Sequence, residues 1–348
     1  MGFHPRPQVT PIANISSLAK LLEVTVEDLE YILANKDRYW CPGKKITKPN
    51  GEVRHTHNAK PRLKAIHQRI LDKLLKKVFY PIYMQGGVAD LLNPRSCRTH
   101  AAFHCNKSIV ISEDIKSFFP NCDYKNIRSI WQGFFCMAPE IAEILTQLTT
   151  YQNELPQGWK TSGYLAQLIF YDIEPKLVED LDRQQVAYSR YIDDITISSS
   201  RPLTDQQKTD IISKIYSMVF HKAHHPNRKK QTIFSPSVNG VGKTVTGLTV
   251  NSKKPTINND KRKKLRSDIH KLSLRFHTEK NLSSYDKDWR SITSKVGHIK
   301  TSHPRQWKKF RQEMNTIKPT FKRKRKTNNK KAAFKGMNRP GIVGDSTF

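Results

Sequence analysis

Apolar positions at helical spacing alternate along this chain with short runs in which nearly every residue is apolar, which predicts helices interleaved with buried strands. Leu18, Leu21 and Leu22 mark a short first helix, and Thr25-x-x-Asp28 caps a second that carries Leu29, Ile32 and Leu33. Lys44 to Lys60 is polar and basic around Pro49-Asn50-Gly51, the pattern of a β-hairpin, and a longer helix is predicted over Pro61 to Lys77. Ile127, Ile130, Trp131 and Phe134 keep the i, i+3, i+4, i+7 spacing of one helix. Ile141, Ile144, Leu145 and Leu148 repeat it after Pro139. Strand-like runs fall at Ser108 to Ile111, Val186 to Ser198 and Val245 to Val250. Strands and helices mix without strict βαβ alternation and without a fixed repeat, so the expected class is α+β.

Composition adds a partner class. The 348 residues suffice for a sizeable core, and 61 Lys+Arg against 30 Asp+Glu give a formal charge of +31, which favours polyanions. Nucleic acid is the leading candidate. From Asn251 to Phe348 there are 28 Lys+Arg and 7 Asp+Glu, net +21, which leaves +10 for the first 250 residues. The run Lys322-Arg323-Lys324-Arg325-Lys326 has too little apolar content to pack and reads as a flexible basic tail, with the folded boundary near Lys318. No window approaches the ~18 apolar residues of a membrane span, and Met1 to Pro11 lacks the build of a secretory signal, so a cytoplasmic protein is expected. Cysteines 41, 97, 105, 122 and 136 contain no Cys-x-x-Cys pair and suggest neither a disulfide framework nor a zinc ribbon. The histidines lack ligand spacing as well.

The carboxylates carry the chemistry. Ser108 to Ile111 continues into Ser112-Glu113-Asp114, which places Asp114 where a buried strand emerges. Tyr191-Ile192-Asp193-Asp194 sits between apolar runs and reads as a hairpin with adjacent aspartates at its turn. Neighbouring carboxylates repel unless a cation compensates them. A solvated Asp-Asp turn is the commoner explanation for such a pair, but these flanking strands are too hydrophobic for a peripheral hairpin. Three converging acids would make an oxygen-ligand site suited to Mg²⁺, and two such ions serve in-line displacement of pyrophosphate by a hydroxyl.

In motif order the sequence resembles reverse transcriptases: Asp114-Ile115-Lys116-Ser117-Phe118-Phe119 matches motif A, Leu155-Pro156-Gln157-Gly158-Trp159-Lys160-Thr161-Ser162 motif B, and Tyr191-Ile192-Asp193-Asp194 motif C. Within that family it is similar to the bacterial retron type. His100-Ala101-Ala102-Phe103-His104 matches the Asn-Ala-x-x-His signature, with His100 in place of the usual Asn, and Val245-Thr246-Gly247 matches Val-Thr-Gly. The resemblance implies a right-hand polymerase: a helical segment over 1–40, fingers over 41–100 and 125–154, antiparallel palm over 101–124 and 155–250, helical thumb over 251–317, and a basic tail over 318–348.

The resemblance also implies roles. Asp114, Asp193 and Asp194 would hold two Mg²⁺, with Mn²⁺ as a substitute and the Ile115 backbone carbonyl as an extra ligand. Phe119 would exclude a 2′-hydroxyl, Gln157 and Gly158 would approach nucleotide and template, and Arg54, near Lys44, Lys45 and Lys48, would grip the triphosphate. Lys230, in Asn227-Arg228-Lys229-Lys230, would protonate departing pyrophosphate. His100, His104, Thr246 and Gly247 would either recognise RNA or support the core beside it. Lys261, Arg262, Lys263 and Lys264, beside the helical face of Leu265, Ile269, Leu272 and Phe276, would bind RNA in the thumb.

The implied activity is copying of a cognate structured noncoding RNA with dNTPs, primed from a guanosine 2′-hydroxyl, into a branched RNA–DNA product that serves antiphage defence with an effector protein. No segment is expected to be left for an RNase H domain, so a host RNase H would remove template. The alternatives are a solitary defence-associated reverse transcriptase with another template or untemplated synthesis, and a non-catalytic RNA-binding scaffold.

Overall fold

In the computed structural model, which describes residues 2–47, 51, 53–234 and 242–321, the strand Ile109–Lys116 lies within a six-stranded sheet. Its neighbours on one side are Asp194–Ser199, then Val186–Tyr191, then Met84–Gln85, and on the other Thr232–Phe234. His225–Pro226 pairs with its last residues. Every pairing is antiparallel except that of Met84–Gln85 with Val186–Tyr191. The palm sheet is therefore the predicted antiparallel one with a single parallel edge.

Both faces of the sheet are covered, so its strands are buried along most of their length although only one face is largely apolar. Ile109, Ile111, Ile195, Ile197 and Tyr188 pack into the main core together with residues of the helices Ser162–Leu168, Glu174–Arg183 and Asp205–His221. On the opposite face Val110 joins Ala101, Val245, Leu248 and Val250 in a smaller cluster. The run Val245 to Val250 is not one strand. Thr246 and Gly247 adopt left-handed φ of 44° and 77°, so Thr244–Val245 folds back onto Leu248–Thr249.

The N-terminal helices Ile15–Leu22 and Val26–Ala34 form where expected, and Thr25 Oγ1 accepts the Asp28 backbone N–H. Two helices differ from the periodic reading. The one beginning at Pro61 ends at Lys73 and tightens into a 3₁₀ turn over Leu75–Lys77, which lets Leu74, Leu75 and Val78 all reach the core. The helix through Ile127 spans Tyr124–Ser129 and then widens into a π turn over Ile130–Phe134, with Phe135 N–H bonded to Ile130 O, so that Ile130, Trp131, Phe134 and Phe135 are all buried.

A second compact unit begins at Asn259, later than the expected thumb boundary at 251. Val250 is buried and Thr249 exchanges backbone hydrogen bonds with Thr256, which ties the intervening residues to the first unit. The second unit packs the helices Asn259–Glu279, Ser283–Ile299 and Pro304–Thr316 around Leu265, Ile269, Leu272, Val296, Ile299, Phe310 and Met314. Phe276 is half-buried on the same face. Lys261, Lys263 and Lys264 are exposed on the first of these helices, and Arg262 is half-buried. The basic run from 322 lies outside the described residues. Among the described residues no helix is long and apolar enough to cross a membrane.

Candidate active site

The strands Val186–Tyr191 and Asp194–Ser199 close on a two-residue turn, Ile192-Asp193, with Ile192 at φ 62°, an unusual conformation for a β-branched residue. It is held from several sides. Arg190 Nη1 donates to the Ile192 carbonyl at 2.9 Å, the Ile192 N–H bonds Gln85 O at 3.2 Å, and the Ile115 N–H bonds Asp193 O at 3.0 Å. The register sets Asp114 directly opposite Asp194. Asp114, distant in sequence, thus meets Asp193 and Asp194 at one end of the sheet.

Their proximity is felt electrostatically. Burial first, then the charges of Asp193 and Asp114, pushes the Asp194 carboxyl up to about 7. Burial also raises Asp193, with Asp114 adding to it and Arg54 and Lys230 opposing it. Asp114 is satisfied locally: Lys230 Nζ donates to both its oxygens at 2.9 and 3.1 Å, and Asn227 Nδ2 donates at 2.9 Å. The hydrogen bond to Asp114 in turn raises the Lys230 pKa. Among the described residues no three His, Cys, Asp or Glu side chains form a ready-made metal cage. The donor set nonetheless fits hard divalent cations, because it consists of oxygen-bearing acids that repel one another and draw a lysine ammonium in compensation.

Asp114 and Asp193 border a cleft of about 550 Å³ that is also lined by Arg54, His57, Ile115, Lys116, Phe119, Gln157 and Lys230. Arg54 lies on Val53–Ala59, whose partner strand is Trp40–Thr47; Lys44 and Lys45 are exposed on the latter, and Lys48 lies outside the described residues. Ser117, at φ 50°, ends the Asp114 strand and starts the short helix Phe118–Asn121. Phe118 then packs into the core against Phe170 and His224 while Phe119 reaches the cleft.

Gln157 borders the cleft, whereas Gly158 has a different reason to be glycine. Its φ is 109°, and a Cβ there would lie 2.8 Å from the His57 carbonyl oxygen. The His57 N–H bonds the Gln157 carbonyl at 2.7 Å, so the Pro-Gln-Gly turn abuts the basic hairpin at backbone distance. Trp159 packs on His67, whose Nε2 donates to Leu148 O at 2.7 Å and whose burial lowers its pKa to about 4.

The side chains of both His100 and His104 are wholly enclosed. Thr246, with Gly247 beside it in the same turn, donates through Oγ1 to Cys97 O at 3.0 Å, so the two signatures pack as one unit beneath the acids. Lys261, Arg262, Lys263 and Lys264 lie in the second unit.

Sequence reasoning missed Arg190 and Glu174, an ion pair with both side chains at 0% exposure and an N–O distance of 2.6 Å. Arg190 adjoins the acidic turn, and that adjacency was the available signal. It also missed Asn227 as a partner of Asp114, and the Trp40, His57 and Tyr151 rings at the cleft edge, where Trp40 Nε1 donates to His57 Nδ1 and Trp40 stacks on Tyr151 at 4.9 Å.

The family model for reverse transcriptase (RNA-dependent DNA polymerase) matches residues 46–245. The Retron Se72 reverse transcriptase of Salmonella heidelberg (strain 579083-10) is 29% identical over 91% of this chain and 83% of the relative. The Retron Ec48 reverse transcriptase of Escherichia coli is 28% identical over 89% of this chain and 77% of the relative. Among solved structures, apo telomerase from Candida tropicalis aligns with 68% of this chain and 61% of its own at 10% identity and a TM-score of 0.41.

Proposed function

The chain belongs to the reverse transcriptase (RNA-dependent DNA polymerase) family and is an RNA-directed DNA polymerase, and we propose that it works as a retron enzyme with Asp114, Asp193 and Asp194 as its metal-binding acids. In this reading it copies a structured noncoding RNA into single-stranded DNA that stays joined to RNA, with dNTPs as substrates and a host RNase H trimming template. An effector protein would couple the product to antiphage defence. The observation that carries the site assignment is the register of Asp114 opposite Asp194 with Asp193 at the adjoining turn.

Two Mg²⁺ ions, held by these carboxylates with help from the Ile115 carbonyl, would favour the attacking hydroxyl as an alkoxide and neutralise the triphosphate. The remaining work falls to the chain's own groups. Arg54, on an exposed strand above the cleft, offers a guanidinium fork to phosphate oxygens. Phe119 walls the cleft where a 2′-hydroxyl would collide, which selects deoxynucleotides. Gln157 bonds the fingers strand through its backbone and presents its side chain to the nucleotide and template. Lys230, bonded to Asp114, is placed to exchange that contact for the departing pyrophosphate and to deliver its proton.

The test is incorporation of labelled dNTPs by the purified protein with its copurifying RNA. Synthesis should require Mg²⁺, and Asp193→Asn should abolish it while RNA binding survives. DNA synthesis by the Asp193→Asn protein would reject the metal assignment. Sequencing the copurifying nucleic acid tests the retron reading, for which a branched RNA–DNA molecule is the expected result.

A further inference from the structure

The lower half of the acid-bearing face is unexpectedly polar. By register, Ser189, Tyr191, Thr196 and Ser198 share the face on which Asp114 and Asp194 stand opposite each other. His104 spans the two strands of the catalytic hairpin: its Nδ1 is 2.8 Å from Ser198 Oγ and its Nε2 is 2.7 Å from Ser189 Oγ. His104 and Ser189 are 0% exposed and Ser198 1%. Ser189 precedes Asp193 by four residues and Ser198 follows Asp194 by four, so the bridge runs diagonally across the hairpin just below its tip. His100 stacks on Tyr191, the last residue before the turn, at 5.7 Å and 22°, and meets His104 edge-on at 5.6 Å.

The helix Cys97–Ala102, which supplies His100 and leads into His104, is also anchored by residues outside the hairpin's two strands. Ser96 and Thr99 form a reciprocal cap, Thr99 Oγ1 donates to Gln85 Oε1 at 2.8 Å, and Cys97 O accepts from Thr246. Burying a histidine and two serines contributes little net stability, since hydrogen bonds to water are exchanged for internal ones and an apolar trio of similar shape would be about as stable. What such a trio lacks is direction. Two hydrogen bonds from one rigid ring allow a single offset between the strands.

We propose that His104 is a positioning residue, a two-ended strut that sets the offset of the catalytic hairpin and thereby the place of Asp193 and Asp194 relative to Asp114. It touches neither substrate nor carboxylate. The proposal rests on the reading of those three acids as the metal-binding set.

Single-turnover incorporation on poly(rA)–oligo(dT) with Mg²⁺ and dTTP tests it in the full chain, using His104→Phe, Ser189→Ala, Ser198→Ala and the double serine variant. A misplacement of about 1 Å can cost ~100-fold in rate, so His104→Phe and the double variant should lose ~10- to 100-fold at saturating dTTP. KM for dTTP and template affinity should stay within about twofold, and each single serine variant should show most of the loss of the double, because one released end frees the strut. His104→Gln, which retains at most one of the two bonds, should likewise show most of the loss. An unchanged saturating rate, a loss confined to KM or template binding, or additive serine losses would each overturn the proposal. If His104→Phe does not fold, the serine variants decide. Active Asp193→Asn protein would refute the site reading, whereas inactive Asp193→Asn with wild-type rates in the serine variants would refute the strut alone.

Discussion

Two β-hairpins reach the same cleft and are built on opposite principles. The palm hairpin, Val186–Tyr191 with Asp194–Ser199, is almost wholly buried within the sheet, and its turn is bonded from Gln85, Ile115 and Arg190. The fingers hairpin, Trp40–Thr47 with Val53–Ala59, is exposed along most of its length and has a register shift between Pro42 and Lys45. It is tied down at its root, where His57 bonds Gln157 and Trp40 stacks on Tyr151. Acids that must hold a fixed geometry are fixed by burial. In the proposed reading, the hairpin that offers Arg54 to a triphosphate is fixed at its root and exposed along its strands.

The contrast predicts its largest break at Arg190. Arg190→Met strands Glu174 as an unpaired buried carboxylate and releases the Ile192 carbonyl, so urea unfolding should report a loss of about 3–5 kcal/mol. A loss under about 1 kcal/mol would show that the palm hairpin does not depend on this pair.

Acid should weaken both regions through their buried histidines. Burial holds His67, beneath the fingers, and His100, beneath the palm, near pKa 4, against about 6.5 in the unfolded chain. The unfolded state therefore binds more protons between these values. The stability is fully present above about pH 6.5 and declines as pH falls toward 4, by up to about 1.4 kcal/mol per pH unit for each histidine. The raised Asp194 carboxyl acts in the opposite sense over the same range, so urea midpoints at pH 7, 5.5 and 4.5 are compared between the wild type and His67→Gln; equal pH slopes in the two would contradict the neutral, buried state of the His67 ring.

Gly158→Ala should act at the junction of the two regions. The added Cβ, 2.8 Å from the His57 carbonyl oxygen at a backbone φ of 109°, should cost about 1–3 kcal/mol. Amide exchange at His57 should speed up while exchange at Ile192 stays slow. Equal acceleration at both would mean that the hairpins are not separately supported.

The legible parts of this molecule were those whose signal is local. Apolar runs located the central strands, and Asp114 and Asp193-Asp194 stood at their ends, where a strand leaves the core. The Thr25 cap and the buried face of Leu265, Ile269 and Leu272 could be read from spacing alone. What stayed hidden depended on partner choice in space. Glu174 opens an ordinary charged helix in sequence, and only the fold turns it inward toward Arg190. His100-Ala101-Ala102-Phe103-His104 and Val245-Thr246-Gly247 gave no local sign that Thr246 would bond Cys97. The π turn at Ile130–Phe134 escaped because helical spacing does not reveal one extra residue per turn.

The smallest structural effect should come from Arg54→Lys, and for that reason it sharpens the comparison most. Arg54 is exposed on a strand that its side chain does not help to hold, so urea unfolding should shift by no more than about 0.5 kcal/mol. A lysine keeps the positive charge that opposes the elevated carboxyl of Asp193, so saturating turnover should change little. The forked guanidinium, however, makes two parallel bonds to phosphate oxygens where an ammonium supplies one point charge, and losing about 1.4 kcal/mol of that grip raises KM for dNTP about tenfold. Steady-state kinetics across dNTP concentrations separates the two parameters. An unchanged KM would remove Arg54 from the triphosphate site, and a loss of stability would show that the exposed hairpin is braced by the side chain assigned to the ligand.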